Sequence, residues 1–157
     1  SRNEIDYDGP IFKKKWLDEF YNQKIEYKNT PFSLGYDIYF ISNSDHLQDQ
    51  FRVSTEALRH HVGLSFKGQG LASSYRKHGV YSIAVIDING KMDIVRFIEV
   101  LTHEASHVVD YIIENCAIKN VDTEVRSYIL DHIVGLCLRK LKIAENNKSI
   151  EEIKCQN

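Results

Sequence analysis

The sequence predicts an α+β fold in which a small sheet, mostly antiparallel or mixed, packs on one long helix that a second long helix follows. Short segments rich in β-branched and aromatic residues occupy the middle of the chain, and two long segments of helical periodicity occupy its last third. The 157 residues are 43% hydrophobic, which suits one domain, over residues 1–157, with a core of its own.

The first predicted element is an approach helix within residues 1–30. Apolar side chains recur at helical spacing between Ile11 and Ile25, and residues 29–31, Asn-Thr-Pro, then break the chain. The segment from Tyr36 to Ile41 is rich in β-branched and aromatic residues. We therefore expect a strand there.

Alternating elements are predicted for the middle of the chain. A helix capped at Ser44 or Asp45 is expected through about Arg59, and alternation predicts a strand over His61 to Phe66. Residues 68–70, Gly-Gln-Gly, indicate a turn, and a further strand is expected from Leu71 to Arg76. The clearest strand pattern is Val80 to Ile86.

Two long helices complete the predicted fold, at about Asp93 to Asn115 and about Asp122 to Leu141. An apolar stripe on the first helix is expected to face the core. Its members are Ile94, Ile98, Leu101, Ala105, Val108 and Ile112. The tail, residues 145–157, is polar and charged, so we expect it to fray.

The first long helix carries a His-Glu-x-x-His motif from His103 to His107. Helical residues four apart share a face, so both imidazoles can bind one metal ion, with Glu104 beside it. This is the equipment of a zinc hydrolase in which Glu104 is the general base toward a zinc-activated water. A catalytic zinc usually has three protein ligands, so a third is expected.

Glu124, in the first turn of the second long helix, is the best candidate for that third ligand, although a first-turn glutamate is also favoured by the helix dipole alone. Glu124, Tyr128, Asp131 and Gly135 share one helix face, which we expect to meet the motif, with Gly135 permitting a close crossing. The opposite face is expected to be core. It comprises Val125, Ile129, Ile133 and Leu136.

These residues resemble the gluzincin branch of the zincin metallopeptidases. Residues 103–110 together with 122–128 are more closely similar to small metallopeptidases encoded by phage and prophage genomes, and the specific part of the resemblance covers about residues 99–141. The resemblance implies His103, His107 and Glu124 as zinc ligands and Glu104 as the base.

The tetrahedral oxyanion needs a donor besides zinc, and Tyr128 is the first candidate, although a core tyrosine is an equal alternative. Arg126 and His132 are weaker candidates because the helical wheel aims them away from that face. Asp110 lies about 10 Å along the helix from His103, so it is either an outer partner of an imidazole or an arginine, or an ordinary aspartate. Zincins hold substrate on an edge strand, and the sequence leaves open whether Val80 to Ile86 is that strand.

The composition of the chain limits which binding partners and which cellular compartment are expected. The formal charge of −2 does not indicate a basic surface for nucleic acid, and no apolar run has transmembrane length. Cys116, Cys137 and Cys155 are widely spaced and are expected to be reduced thiols, which indicates a cytoplasmic protein. If the chain is phage-encoded, that cytoplasm belongs to a bacterial host.

Three function classes follow. The first is a zinc metallopeptidase with a protein or peptide substrate. The second is a zinc hydrolase of another amide, such as a cell-wall peptide. The third is a catalytically idle binding protein on the same scaffold, against which the intact Glu104 argues. The sequence leaves the substrate and the oligomeric state open.

Overall fold

A computed structural model describes residues 2–5, 24–25, 37–62, 67–75, 79–115 and 122–142. The described elements form an α+β fold, as predicted. In chain order they are β1 (Arg2–Ile5), β2 (Lys24–Ile25), β3 (Asp37–Ser42), a 3-10 turn (Asp49–Phe51), α1 (Thr55–Val62), β4 (Gly70–Tyr75), β5 (Val80–Val85), α2 (Ile94–Asn115) and α3 (Thr123–Leu138).

The five strands form one mixed sheet in the order β1-β4-β5-β3-β2. β4 is antiparallel to β5, while β3 is parallel to it. β1 runs parallel to β4 at one edge, and β2 runs antiparallel to β3 at the other. The strand predicted from Val80 to Ile86 is thus the central strand of the sheet and not an edge strand.

Both faces of the sheet are covered, and the alternation of each strand divides its side chains between two cores. In β3, Ile38 and Phe40 belong to the core under α2, whereas Tyr39 and Ile41 belong to the core that includes Ala57 and Leu58 of α1. The strands therefore read as nearly continuous apolar runs, because neither face meets water.

Helix α2 buries a face that is rotated from the predicted stripe. Leu101, Ala105, Val108 and Ile112 are buried as predicted, but Ile98 is 36% exposed. Phe97, Val100, Val109 and Tyr111 are buried in addition. Because Val100 and Glu104 lie against the start of β4, the buried face includes the glutamate of the motif.

Helix α3 packs back along α2. Asp122 caps it by accepting a hydrogen bond of 2.9 Å from the Val125 amide. Ile129 and Ile133 are buried as predicted, and Val125 and Leu136 are partly buried. None of the described helices combines the length and the apolar content that crossing a bilayer requires.

The structure corrects two predictions in the middle of the chain. The helix expected from Ser44 or Asp45 begins only at Thr55, where the Ser54 hydroxyl accepts a hydrogen bond from the Ala57 amide. The preceding residues instead form a 3-10 turn and a bridge that pairs Ser42 with Arg52. His61 and Val62, predicted as the start of a strand, end α1, and residues 63–66 lie outside the described part of the chain.

The helix expected between Ile11 and Ile25 is wrong at its end, since Lys24–Ile25 pairs with β3 as a strand. Residues 6–23, residues 145–157, Cys116 and Cys155 lie outside the described residues. Cys137 is a buried thiol with no disulfide, and burial raises its pKa.

Candidate metal centre

His103 and His107 lie one turn apart on α2, and their imidazole rings converge. The two Nε2 atoms are 3.3 Å apart, and the ring planes are nearly perpendicular. Two imidazole nitrogens bound at about 2.0–2.1 Å to one tetrahedral zinc ion lie about 3.3–3.4 Å apart. The same distance admits a weak N–H···N hydrogen bond. The pair thus has the spacing that two zinc ligands require.

The surroundings of His107 favour the neutral imidazole. Desolvation by partial burial lowers the pKa of His107, and this effect exceeds the opposing influence of the Glu104 charge. A metal ion binds only the neutral form of histidine, so a lowered pKa reduces the competition from protons. His103 is the more exposed member of the pair.

Glu104 points away from solvent, toward β4, and is only 2% exposed. Gly70 makes this possible, because a Cβ atom at that position would lie 2.7 Å from Val100 Cγ1 and 2.8 Å from Glu104 Cγ. A carboxylate in such a place is costly unless a cation or a proton compensates its charge. Hydrogen bonds or a nearby metal ion can supply that compensation.

A cavity of about 430 Å³ opens between the start of β4 and α2. Its described lining residues are Gly68, Gln69, Gly70, Arg96, Glu99, Val100, His103 and Glu104. A second groove of about 620 Å³ adjoins the other side of His103. That groove is lined by Val95, Ile98, Glu99, Thr102, His103, Ser106 and Leu130. His103 and Glu99 line both, so the motif lies on a ridge between a polar cavity and a more apolar groove.

The predicted residues of α3 do not join the histidines in the structure. Glu124 is exposed and Tyr128 is 55% exposed, so Tyr128 is not a core residue either. Of the two cavities described above, neither is lined by Glu124, Tyr128 or His132. Within the described part of the chain, no three His, Cys, Asp or Glu side chains are grouped to hold one metal ion.

The predicted rotation of α3 is wrong at two positions. Gly135 does not lie at a tight crossing, because the nearest atom to a Cβ placed there is Arg139 Nη2, at 3.9 Å. Arg126, expected to point away, instead donates to Ser106 Oγ at 2.7 Å and to Asp110 Oδ1 at 3.1 Å. Of the two roles proposed for Asp110, partnership with an arginine is therefore the one observed.

Sequence reasoning missed Gly70, Gln69 and Arg96 as parts of this site. The sequence predicts a turn at residues 68–70, whereas Gly70 opens β4 and lets this strand approach Glu104 closely. Arg96 and Gln69 come together only when the start of α2 lies beside the start of β4. For Gly70, the local signal in the sequence is a glycine at the start of an apolar strand. No local pattern indicates Gln69 or Arg96 as part of the site.

A different histidine lies on the opposite face of the sheet. His61 Nε2 is 2.9 Å from the hydroxyl of the buried Ser82, and the His61 ring lies beside Tyr75. Burial lowers the pKa of His61 to about 4. It also raises the pKa of Tyr75 to about 12, against the effect of hydrogen bonds with Ser73 and Ser82. These residues form a polar cluster around the buried Ser82, in which His61 itself is only partly buried.

Comparison with models of known protein families, with curated proteins and with solved structures gave no match.

Proposed function

We propose that the protein is a zinc-dependent hydrolase of peptide (amide) bonds, with His103 and His107 as metal ligands and Glu104 as the general base. The 3.3 Å separation of the two Nε2 atoms is the observation that carries the proposal. The position of Glu104 supports it further, because Glu104 lines the same cavity as His103.

Zinc bound at this pair would polarise a carbonyl group and make a water molecule acidic near neutral pH. Glu104 accepts a proton from the water that attacks the carbonyl carbon. It then delivers that proton to the departing amine nitrogen, so that one C–O bond forms, the C–N bond breaks and one water is consumed. Packing against Gly70 limits the rotamers of Glu104, which keeps this side chain at the cavity that His103 also lines.

We propose Glu124 as the third ligand, as the resemblance to gluzincins implies. Because Glu124 is exposed and is not grouped with the histidines, this role requires the first turn of α3 to move toward His107 when metal binds. Tyr128, proposed as the oxyanion donor, lies one turn further along the same helix and needs the same movement. The two assignments therefore depend on one rearrangement.

A protein or peptide is the proposed substrate class, because the polar cavity and the apolar groove meet at His103 and can accept different parts of one chain. We place the protein in the cytoplasm, in keeping with the unpaired thiol of Cys137. If it is phage-encoded, as the resemblance suggests, that is the cytoplasm of the bacterial host.

The test compares zinc-loaded wild type with the Glu104→Gln variant on a mixed peptide library, read by mass spectrometry. Glu104→Gln should retain its zinc and lose hydrolysis by about 10²–10⁴-fold, because only the proton acceptor is removed. Glu56→Gln, the same change on the exposed surface of α1, is the matched control and should cleave like wild type.

Cleavage by Glu104→Gln within about tenfold of wild type would contradict the proposed mechanism. Zinc binding without cleavage of any peptide by wild type would contradict the peptidase assignment. Cleavage of a cell-wall peptide but of no protein-derived peptide would instead favour the other amide class.

A further inference from the structure

The polar cavity beside Glu104 extends toward the start of α2 and ends at Arg96. Of the described residues that line it, Arg96 is the only arginine or lysine. Arg96 lies seven residues before His103, so about 10 Å of helix separates the two positions. The cavity therefore has His103 and Glu104 at one end and the positive charge of Arg96 at the other.

Gln69 holds the guanidinium of Arg96 in one orientation. Arg96 Nε and Nη2 donate to Gln69 Oε1 at 2.8 and 2.6 Å. An arginine has five N–H donors, and these contacts use two of them. Among the residues that the structure describes, the carboxylate recorded closest to Arg96 Nη1 is that of Glu99, at 3.9 Å, which is too long for a hydrogen bond. The Nη1 edge is thus available to an acceptor in the cavity.

Glu99 does not close this edge to an anion. The Arg96 and Glu99 side chains are 50% and 59% exposed, and ion pairs of this kind are weak in water. A carboxylate placed on the guanidinium can form two parallel N–H···O bonds, which the long contact with Glu99 does not provide. A ligand carboxylate can therefore displace Glu99 from Arg96.

We propose that this cavity binds the C-terminal carboxylate of a peptide, with Arg96 as its binding residue and Gln69 as the residue that positions Arg96. The proposal rests on the proposed function, since the scissile bond is placed at His103 and Glu104. An extended chain covers about 3.3 Å per residue, so about 10 Å spans about three residues. The enzyme would then remove a short segment from a free carboxyl end.

The experiment measures binding of short peptides to the metal-free full chain by calorimetry, so that no hydrolysis interferes. One acetylated tripeptide is used as the free acid and as the amide, and a third probe is an amidated tripeptide ending in glutamate. Wild type should bind the free acid at least about tenfold more tightly than the amide. The amidated glutamate peptide should bind like the amide.

Arg96→Gln should abolish the preference for the free acid, and Arg96→Lys should retain only part of it, because lysine cannot donate in the fork geometry. Arg59→Gln, the same loss of charge on the exposed surface of α1, is the matched control and should keep the full preference. Circular dichroism of each variant shows whether it is folded.

Equal binding of acid and amide by wild type, or a preference that survives in Arg96→Gln, would overturn the proposal. Equal binding of the glutamate amide and the free acid would overturn the assignment to a chain terminus. Peptide hydrolysis by zinc-loaded wild type without the acid preference would leave the proposed function standing and remove this inference. The acid preference without any hydrolysis would leave the carboxylate site standing and remove the proposed function.

Discussion

The two faces of the sheet carry histidines in opposite situations. On α1, the partly buried His61 has its Nε2 atom 2.9 Å from the hydroxyl of Ser82, which lies in the core. On α2, the Nε2 atoms of His103 and His107 approach each other within 3.3 Å, at the border of two cavities. A histidine whose nitrogen has a hydroxyl partner in the core contributes to stability, whereas a pair that converges at a cavity is available for metal chemistry.

This contrast predicts different responses to substitution. Changes around His61 should alter the free energy of unfolding and leave metal binding intact. Changes of His103 or His107 should remove metal binding at little cost to the fold, because neither side chain is part of the buried core. The predictions below test the two faces from the largest expected effect to the smallest.

The largest stability effect is expected from the protonation of His61. Its pKa is about 4 in the folded protein and near 6.5 when unfolded, so the unfolded chain binds the proton more readily between these values. The stability that the neutral form contributes is therefore present above about pH 6.5 and is lost as the pH falls toward 4. By linkage the loss is at most about 3 kcal/mol, and less to the extent that the partly exposed imidazole remains hydrated.

Urea unfolding of wild type and His61→Gln between pH 7.5 and 4 measures this loss. The advantage of wild type over the variant should shrink as the pH falls, and His60→Gln serves as the control on the exposed neighbour. A difference between wild type and His61→Gln that stays constant across this range would show that His61 does not titrate as proposed.

Gly70→Ala should destabilise the protein by about 1–3 kcal/mol through overpacking. The new methyl group would lie 3.0 Å or less from atoms of Val100 and Glu104, and these are held between α2 and β4. Because Glu104 must shift, hydrolysis should also fall. Thermal melting and a peptide assay measure the two effects, and a variant with wild-type values in both would refute the close approach of β4.

Arg126→Gln should cost about 1 kcal/mol, because it removes hydrogen bonds to Ser106 and Asp110 across the α2–α3 contact. If the third ligand comes from α3, zinc affinity should fall as well. Arg139→Gln, near the end of the same helix, is the control for the loss of charge. Chemical unfolding and zinc titration measure both variants. A loss confined to Arg126→Gln would show that its contacts with Ser106 and Asp110 are responsible, whereas equal losses in both variants would show a general effect of the lost charge.

The smallest effect is expected at Gly135. A methyl group there meets only Arg139 Nη2 at 3.9 Å, so Gly135→Ala should be neutral or stabilise the protein by up to about 1 kcal/mol through helix propensity. A loss of more than about 1 kcal/mol in thermal or urea unfolding would instead support the tight crossing of α2 and α3 at Gly135 that the sequence predicts.

The elements that could be predicted are those with strong local patterns. β3 and β5 are runs rich in β-branched and aromatic residues, and α2 and α3 are long segments with apolar residues at helical spacing. Their observed bounds differ from the predicted ones by only a few residues. The segment before Thr55 has apolar residues at plausible helical spacing, but Ser42 pairs with Arg52 and Ser54 supplies the cap. The bridge between Ser42 and Arg52 overrides the local preference and is not visible in the sequence, whereas the Ser54 cap is a local signal.

The same distinction between local pattern and long-range packing applies to the candidate site. The spacing of His103 and His107 on one helix fixes their convergence, so the pair could be predicted from local geometry alone. The face that α3 presents depends on how two helices pack, and α3 has apolar residues on several sides. Arg126 therefore meets the motif where Glu124 and Tyr128 were expected.

The most direct test of the central claim is the zinc content of the purified protein. Mass spectrometry of wild type should find one zinc per chain, and His103→Ala and His107→Ala should each lose it. His61→Gln should keep it, because its imidazole lies on the other face of the sheet. Full zinc retention in His103→Ala and His107→Ala would contradict the assignment of these two histidines as the metal ligands.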